Sequence, residues 1–236
     1  MNAAQTVLAR LFTATVVVDT GWSGRRFREI RLRVAGLTWM PGQQVRVAVV
    51  RPWTGAAVRT GFRDVLRTYS VWDYDGENLD LRALVHGDGP GARWAASVET
   101  GDEVFLRGPE GEFILRGEGG GHSLFVGDET ACVAFGPMTR AALGDTTVVA
   151  EVADPDDELP LAGDVRWVHR HERPASSSQS LVDALRAIDV PKGTAYLAGE
   201  ARTIQMVRAL LVYDRGGSRR DITTKPFWTP GKRGLE

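Results

Sequence analysis

Gly117-Glu118-Gly119-Gly120-Gly121 divides this chain in two. The run is flexible and offers no apolar anchor, and the hydrophobic periodicity changes across it. Before it, apolar and polar residues alternate at the period of a strand. Phe27, Ile30, Leu32 and Val34 alternate, with one slip, with Arg28, Arg31 and Arg33, and Val45, Val47 and Val49 alternate with Arg46 and Ala48. Val7 to Val18 is apolar and β-branched, and Leu66–Tyr74 and Leu79–Val85 read as a hairpin turning on Asp75-Gly76-Glu77-Asn78. Glu103–Arg107 is a further strand. Turns are expected at Gly21-Trp22-Ser23-Gly24, Trp39-Met40-Pro41-Gly42 and Arg51-Pro52-Trp53-Thr54-Gly55. Short strands at this spacing predict an antiparallel six-stranded barrel. One helix interrupts it, entered at Pro90, carried by Ala92 to Glu99 and ended by Gly101.

After the glycine run, strands alternate with helices. Ser123–Val126, Thr146–Val152, Val165–His169 and Ala195–Ala198 read as strands. Thr130–Leu143 has helical spacing, Leu181, Leu185 and Ile188 mark a second helix face, and Ile204, Val207, Leu211 and Val212 a third. Such alternation predicts an α/β domain on a parallel sheet. The expected domains are residues 1–118 and 122–236. No internal repeat is present, and Ser176-Ser177-Ser178 reads as a solvated loop.

Composition bounds the chemistry. With 43% hydrophobic and 25% charged residues, the chain can bury a core. A net charge of -1 argues against a general partnership with nucleic acid or anionic membrane. The single cysteine, Cys132, sits in an apolar run and cannot form an intramolecular disulfide or supply an iron–sulfur cluster. Any redox chemistry therefore belongs to an organic cofactor or a bound substrate. No metal-ligand spacing is seen among the four histidines. Met1-Asn2-Ala3-Ala4-Gln5 lacks the charged and apolar regions of a signal peptide, and no run approaches a membrane span, so a cytoplasmic protein is expected. The expected oligomeric state is a monomer.

Two stretches carry the main candidate site. In Arg67-Thr68-Tyr69-Ser70, strand geometry places Arg67 and Tyr69 on one face and Ser70 on the other. In His86-Gly87-Asp88-Gly89-Pro90-Gly91-Ala92-Arg93-Trp94, a glycine-rich turn runs into a helix start. Its backbone amides can approach a phosphate closely, and the helix dipole favours the anion. A guanidinium, a ring, a hydroxyl and an anion-binding turn together suit a flat, diphosphate-bearing cofactor such as FAD. In the second half, Gly127-Asp128-Glu129-Thr130-Ala131 lies between a strand and a helix, where open α/β sheets bind nucleotides, and Thr130 is a candidate helix cap. It is not the G-x-G-x-x-G fingerprint. Ala198-Gly199-Glu200-Ala201 repeats the form, with Arg202 just inside the next helix as a candidate phosphate ligand. Glu151 and Asp154 favour NADH, whereas Arg170, Arg173 and Arg202 favour NADPH. Both donors stay open. The tail, Lys225-Pro226-Phe227-Trp228-Thr229-Pro230-Gly231-Lys232-Arg233, is aromatic and then basic.

In this order these motifs, with Gly108-Pro109 and Trp167-Val168-His169-Arg170, resemble the FAD-binding siderophore-interacting proteins, which are ferric-siderophore reductases built like ferredoxin reductases. The resemblance runs from the first strands to Lys232. It implies a β-barrel FAD domain and an α/β NAD(P)H domain. Arg67, Thr68, Tyr69 and Ser70 would face the flavin, with Ser70 near its reactive nitrogen as the catalytic candidate. His86, Asp88, Gly89, Pro90, Gly91, Ala92 and Trp94 would hold FAD and its diphosphate. Gly127, Asp128, Glu129, Thr130, Ala131, Gly199, Glu200 and Arg202 would line the nicotinamide site. Phe227 and Trp228 would close over the flavin region. The family's usual arginine after the Tyr-Ser/Thr-Val run is here Trp72, and the one after the tail tryptophan is Thr229. Arg59, Arg63, Lys232 and Arg233 are the cations left to draw an anionic ferric siderophore. The departures keep a second expectation open, an NAD(P)H-dependent flavin reductase acting on a quinone, free flavin or biosynthetic intermediate.

Overall fold

The computed structural model describes residues 12–50, 66–116 and 120–232. The start of the first apolar run, the turn at Arg51–Gly55, Arg59, Arg63, residues 117–119 of the glycine run and Arg233 lie outside the described residues. The chain divides into two compact units, Met1–Glu112 and Phe113–Glu236.

The first unit is a closed barrel of six strands in the order β1-β2-β5-β4-β3-β6. They are β1 (Thr13–Ser23), β2 (Phe27–Arg33), β3 (Gln44–Ala48), β4 (Leu66–Tyr74), β5 (Asn78–Leu84) and β6 (Glu103–Glu110). Every pairing is antiparallel. The alternating apolar residues meet inside: Ile30 lies opposite Leu81 and Leu32 opposite Leu79, in one core with Val17, Val45, Val47, Val71, Val104 and Leu106. The strand β1 runs through Gly21-Trp22-Ser23, which the sequence reads as a turn. There Trp22 pairs with Arg28, whose guanidinium lies 5.3 Å from the indole and donates to Thr20 Oγ1 at 2.8 Å. This cross-strand packing carries the strand to its end. The β4–β5 hairpin turns as expected. The Asp75 carboxylate accepts from the Glu77 and Asn78 amides at 2.9 and 2.7 Å and from the Asn78 side chain at 3.0 Å. Those bonds, the Asn78 side chain foremost, hold Asp75 at a pKa of about 2. Helix α1 (Pro90–Ser97) buries Ala95 against the barrel core.

The second unit is a five-stranded parallel sheet in the order β11-β10-β7-β8-β9. Along the chain run β7 (His122–Asp128), α2 (Glu129–Ala141), β8 (Thr146–Val152), β9 (Asp164–His169), α3 (Gln179–Arg186), β10 (Gly193–Glu200), α4 (Ala201–Ala209) and β11 (Ile222–Trp228). One apolar cluster joins Leu124, Val126, Val149 and Leu197 of the strands to Leu181, Leu185, Ile204 and Val207 of α3 and α4. A second is aromatic: Phe125 stacks on Tyr196 with centroids 4.9 Å apart, and Phe113 packs edge-on against Tyr196 and Phe227. The tail read from sequence as aromatic and then basic supplies β11. Pro226 is tolerated there because β11 is the sheet edge, with Pro226 opposite Gly199. The strand order reverses between β7 and β10, so the turns after these two strands flank the switch point of the sheet.

Candidate functional site

In the first unit, the strand carrying Arg67-Thr68-Tyr69-Ser70 meets the glycine-rich turn. The Tyr69 hydroxyl donates to the Gly91 carbonyl at 3.1 Å, and its ring lies 5.3 Å from that of Trp94. A Cβ on Gly91 would sit 3.1 Å from the Tyr69 oxygen and 3.2 Å from Arg67 Cγ. Arg67 and Tyr69 therefore share the face that abuts the helix start, and glycine is required by that close approach. Burial pushes the Tyr69 phenol well above its ordinary value, against the opposing pull of Arg67, so it stays a donor. Thr68 is exposed, and Ser70 is buried. A bulge between Val71 and Asp73 makes Ser70, Val71 and Trp72 a consecutive buried run.

The turn itself is open. His86, Gly87, Asp88 and Gly89 are exposed, and the Asp88 carbonyl accepts from the Arg93 guanidinium. Gly89 caps α1 with no side-chain hydrogen bond, the first helical residue is Pro90, and no acid lies in the first turn. The positive end of this helix has no side-chain acceptor of its own, which is the condition for taking an external anion. Trp72, where the resemblance implies an arginine, lies in the buried run of β4. The Arg82 guanidinium of the neighbouring strand lies 3.9 Å over its ring and pairs with Glu29 at 2.8 Å.

The equivalent turns of the second unit are closed by their own carboxylates. Asp128, not Thr130, is the N-cap of α2. One oxygen of Asp128 accepts from the Thr130 amide at 2.9 Å and hydroxyl at 2.5 Å. The other accepts from the Glu200 amide and from the Trp228 indole, both at 2.8 Å. Gly199 packs against the same carboxyl group. Burial, with Glu129 beside it, pushes Asp128 above the ordinary carboxylate range against these four donors. Asp128 therefore ties β7, β10 and β11 together at the carboxyl edge of the sheet. Glu200 does the same for α4. It accepts from the Arg202 and Thr203 amides and the Thr203 hydroxyl at 2.8 Å, and from the Ser177 amide at 3.0 Å. Burial works against its charge, but these donors outweigh it and lower its pKa.

Glu129 and Arg170 form a buried bidentate pair. Burial works against the Arg170 charge, but Glu129, with Glu151 and Asp128 behind it, raises its pKa. Glu151 is buried and accepts from the Ser178 hydroxyl. Its second oxygen has no hydrogen-bond partner among the described residues, and burial pushes its carboxyl up. Arg173 is exposed and bonds Ser180 Oγ at 2.6 Å and the carbonyls of His169 and Arg170. Ala131 is wholly buried, and Lys232 is exposed. The links from Asp128 to Glu200 and Trp228, and from Glu129 to Arg170, are invisible to periodicity. Only the acids and small residues clustered at two strand ends signal them. Among the described residues, no group of His, Cys, Asp and Glu is placed to hold a metal, and no helix is long and apolar enough to cross a membrane.

Comparison with known proteins settles the family. Residues 37–113 match the model of the siderophore-interacting FAD-binding domain, and residues 121–231 match that of the siderophore-interacting protein. The chain belongs to the siderophore-interacting protein family. It is 28% identical over 183 residues to the ferric vibriobactin reductase ViuB of Vibrio cholerae, a match covering 72% of this chain and 66% of that protein. The chain thus spans about two thirds of the length of that relative. A siderophore utilization protein from T. fusca superposes with a TM-score of 0.80 at 26% identity, covering 95% of each chain. The ferredoxin-NADP+ reductase of Plasmodium falciparum shares the fold at a TM-score of 0.71 and 14% identity, over 93% of this chain and 97% of that one.

Proposed function

We propose that this chain is an FAD-containing oxidoreductase that passes electrons from NADH or NADPH through FAD to Fe(III) of a ferric siderophore, releasing Fe(II). The observation that carries the reading is the junction of Arg67 and Tyr69 with the uncapped helix start at Gly89–Ala92, inside the segment matched by the FAD-binding model. The residues fit the cofactor: an open turn, free of acids in its first helical turn and next to an arginine, suits a diphosphate. FAD, when bound, supplies the exchange between two-electron and one-electron chemistry.

The chain's own residues bind and position. Arg67, His86 and the α1 amides would hold the diphosphate. Tyr69 locks the turn to the strand through Gly91, and Ser70 is the residue that would face the flavin ring. The turns after β7 and β10, with Arg202, receive the nicotinamide cofactor. Lys232, Arg63 and Arg233 draw the anionic ferric siderophore. The activity named in ViuB supports iron as the acceptor. The protein acts as a monomer in the cytoplasm.

A second reading, a flavin reductase with a quinone, flavin or biosynthetic acceptor, is favoured by one observation. Trp72, where the resemblance implies an arginine, lies under the Arg82 guanidinium, and Arg82 is paired with Glu29. A panel separates the two. FAD-loaded protein is given NADH or NADPH with ferric catecholate, ferric hydroxamate, a quinone or free flavin, while nucleotide oxidation and Fe(II) capture by a ferrous chelator are followed. Preferential turnover of ferric chelates is expected. Turnover of the quinone or flavin alone would replace the first reading with the second.

A further inference from the structure

The segments that leave β8 and β9 at the carboxyl edge of the second sheet carry unequal charge. In dinucleotide folds the residue that meets the ribose 2′ position stands about 20 residues past the first strand–helix turn. An acid there takes the 2′-hydroxyl of NADH, and an arginine takes the 2′-phosphate of NADPH. In this sheet β8 is the neighbour of β7, and their register sets Glu151 beside Asp128. Glu151 is 1% exposed. One of its carboxyl oxygens accepts from the Ser178 hydroxyl, and the other has no hydrogen-bond partner among the described residues. The chain then runs Ala153-Asp154-Pro155-Asp156-Asp157-Glu158, with four acids and no basic residue. Asp154 caps the short turn by accepting from the Asp156 amide at 3.1 Å, Asp157 is buried, and Asp156 and Glu158 are exposed.

The nearby cations are already engaged. Arg170 is buried against Glu129. Each nitrogen of the Arg173 guanidinium is bonded, to Ser180 Oγ or to the carbonyls of His169 and Arg170. The His169 ring lies 2.8 Å from a Glu158 oxygen. Arg202 follows β10, which lies on the far side of β7 from β8. A 2′-phosphate brought to the end of β8 would set an anion among carboxylates, whereas a 2′-hydroxyl is uncharged and can donate to them.

We infer that the second unit rejects the 2′-phosphate, so that NADH is the electron donor of this chain. This rests on the reading that the second unit takes a nicotinamide nucleotide.

The test is calorimetric titration of FAD-loaded full-length protein with NAD+ and NADP+, for wild type and the double variant Asp154→Asn/Asp156→Asn, at low and high ionic strength. Asparagine keeps the cap at position 154, and thermal melts confirm that the variant is folded. Wild type is expected to bind NAD+ at least about tenfold more tightly than NADP+ at low ionic strength, with the preference narrowing as salt is added. The double variant is expected to tighten NADP+ by about threefold to tenfold and to leave NAD+ within about twofold. Equal affinities or a preference for NADP+ in wild type, or a variant that moves both nucleotides alike, would overturn the inference. Wild-type protein that binds neither nucleotide would instead overturn the reading of the second unit on which it rests.

Discussion

Replacing Asp128 by asparagine tests the claim that its carboxylate ties the second sheet together. All four of its contacts are donors: the Thr130 amide and hydroxyl on one oxygen, the Glu200 amide and Trp228 indole on the other. An asparagine must turn its NH2 toward one of these pairs. The better choice faces Thr130, whose hydroxyl can rotate and accept, so that only the Thr130 amide is left without its cap. That loss is worth about 1 kcal/mol. The two remaining bonds fall from charge-assisted to neutral strength, about 1 kcal/mol more in each case. Burial and Glu129 both disfavour the Asp128 charge, and relief of that cost offsets part of the loss. The net expectation is about 2 kcal/mol of destabilisation. Asp128→Ala leaves four donors without an acceptor and should cost about 4 kcal/mol. Denaturant unfolding followed by tryptophan fluorescence reads both, with bound FAD measured on the same samples. Equal stability of Asp128→Asn and wild type, or equal losses in the two variants, would refute the four-donor account.

Other expectations are simpler. Gly127→Ala would place a Cβ 2.3 Å from the Ala198 carbonyl oxygen and 2.6 Å from the Ala131 Cβ. Both are constrained by packing, so a loss of about 3 kcal/mol or more is expected in the same unfolding assay. Arg67→Gln removes a phosphate-directed charge and should weaken FAD about tenfold to a hundredfold in a flavin-fluorescence titration, while an unchanged Kd would remove Arg67 from the diphosphate site. Glu151 carries the pH prediction. Burial raises its folded pKa above the unfolded value of about 4.3. Its contribution to stability is therefore complete below that value and is lost as pH rises through the folded pKa. Glu151→Gln should match wild type near pH 4 and exceed it at pH 8, and melting curves showing the reverse would contradict the assignment.

Much of the fold is legible in the sequence because its signals are local. Alternation gave the inward faces of β2 and β3, and Asp75-Gly76 placed the β4–β5 hairpin. Two elements were hidden. The Gly21-Trp22-Ser23 segment looks like a turn, but the Arg28 packing that makes it strand comes from the neighbouring chain segment. Pro226 looks like a breaker, but an edge strand accepts it. Strand parity puts Arg67 and Tyr69 on one face, but their meeting with Gly91 is seen only in the structure. The Asp128 and Glu129 networks are likewise hidden, because their partners lie far along the chain and no spacing rule links them. The GDETA run marks a strand end followed by a helix, and it was the Asp, not the Thr, that capped it.

The most direct measurement is anaerobic stopped-flow absorbance on FAD-loaded protein, with NADH or NADPH added first and a ferric catecholate second. The account predicts bleaching of the oxidised flavin band with at least one nucleotide, followed by rapid recovery on adding the ferric chelate, with Fe(II) appearing in step. Bleaching with neither nucleotide, or a reduced flavin that the ferric chelate leaves unchanged, would contradict it.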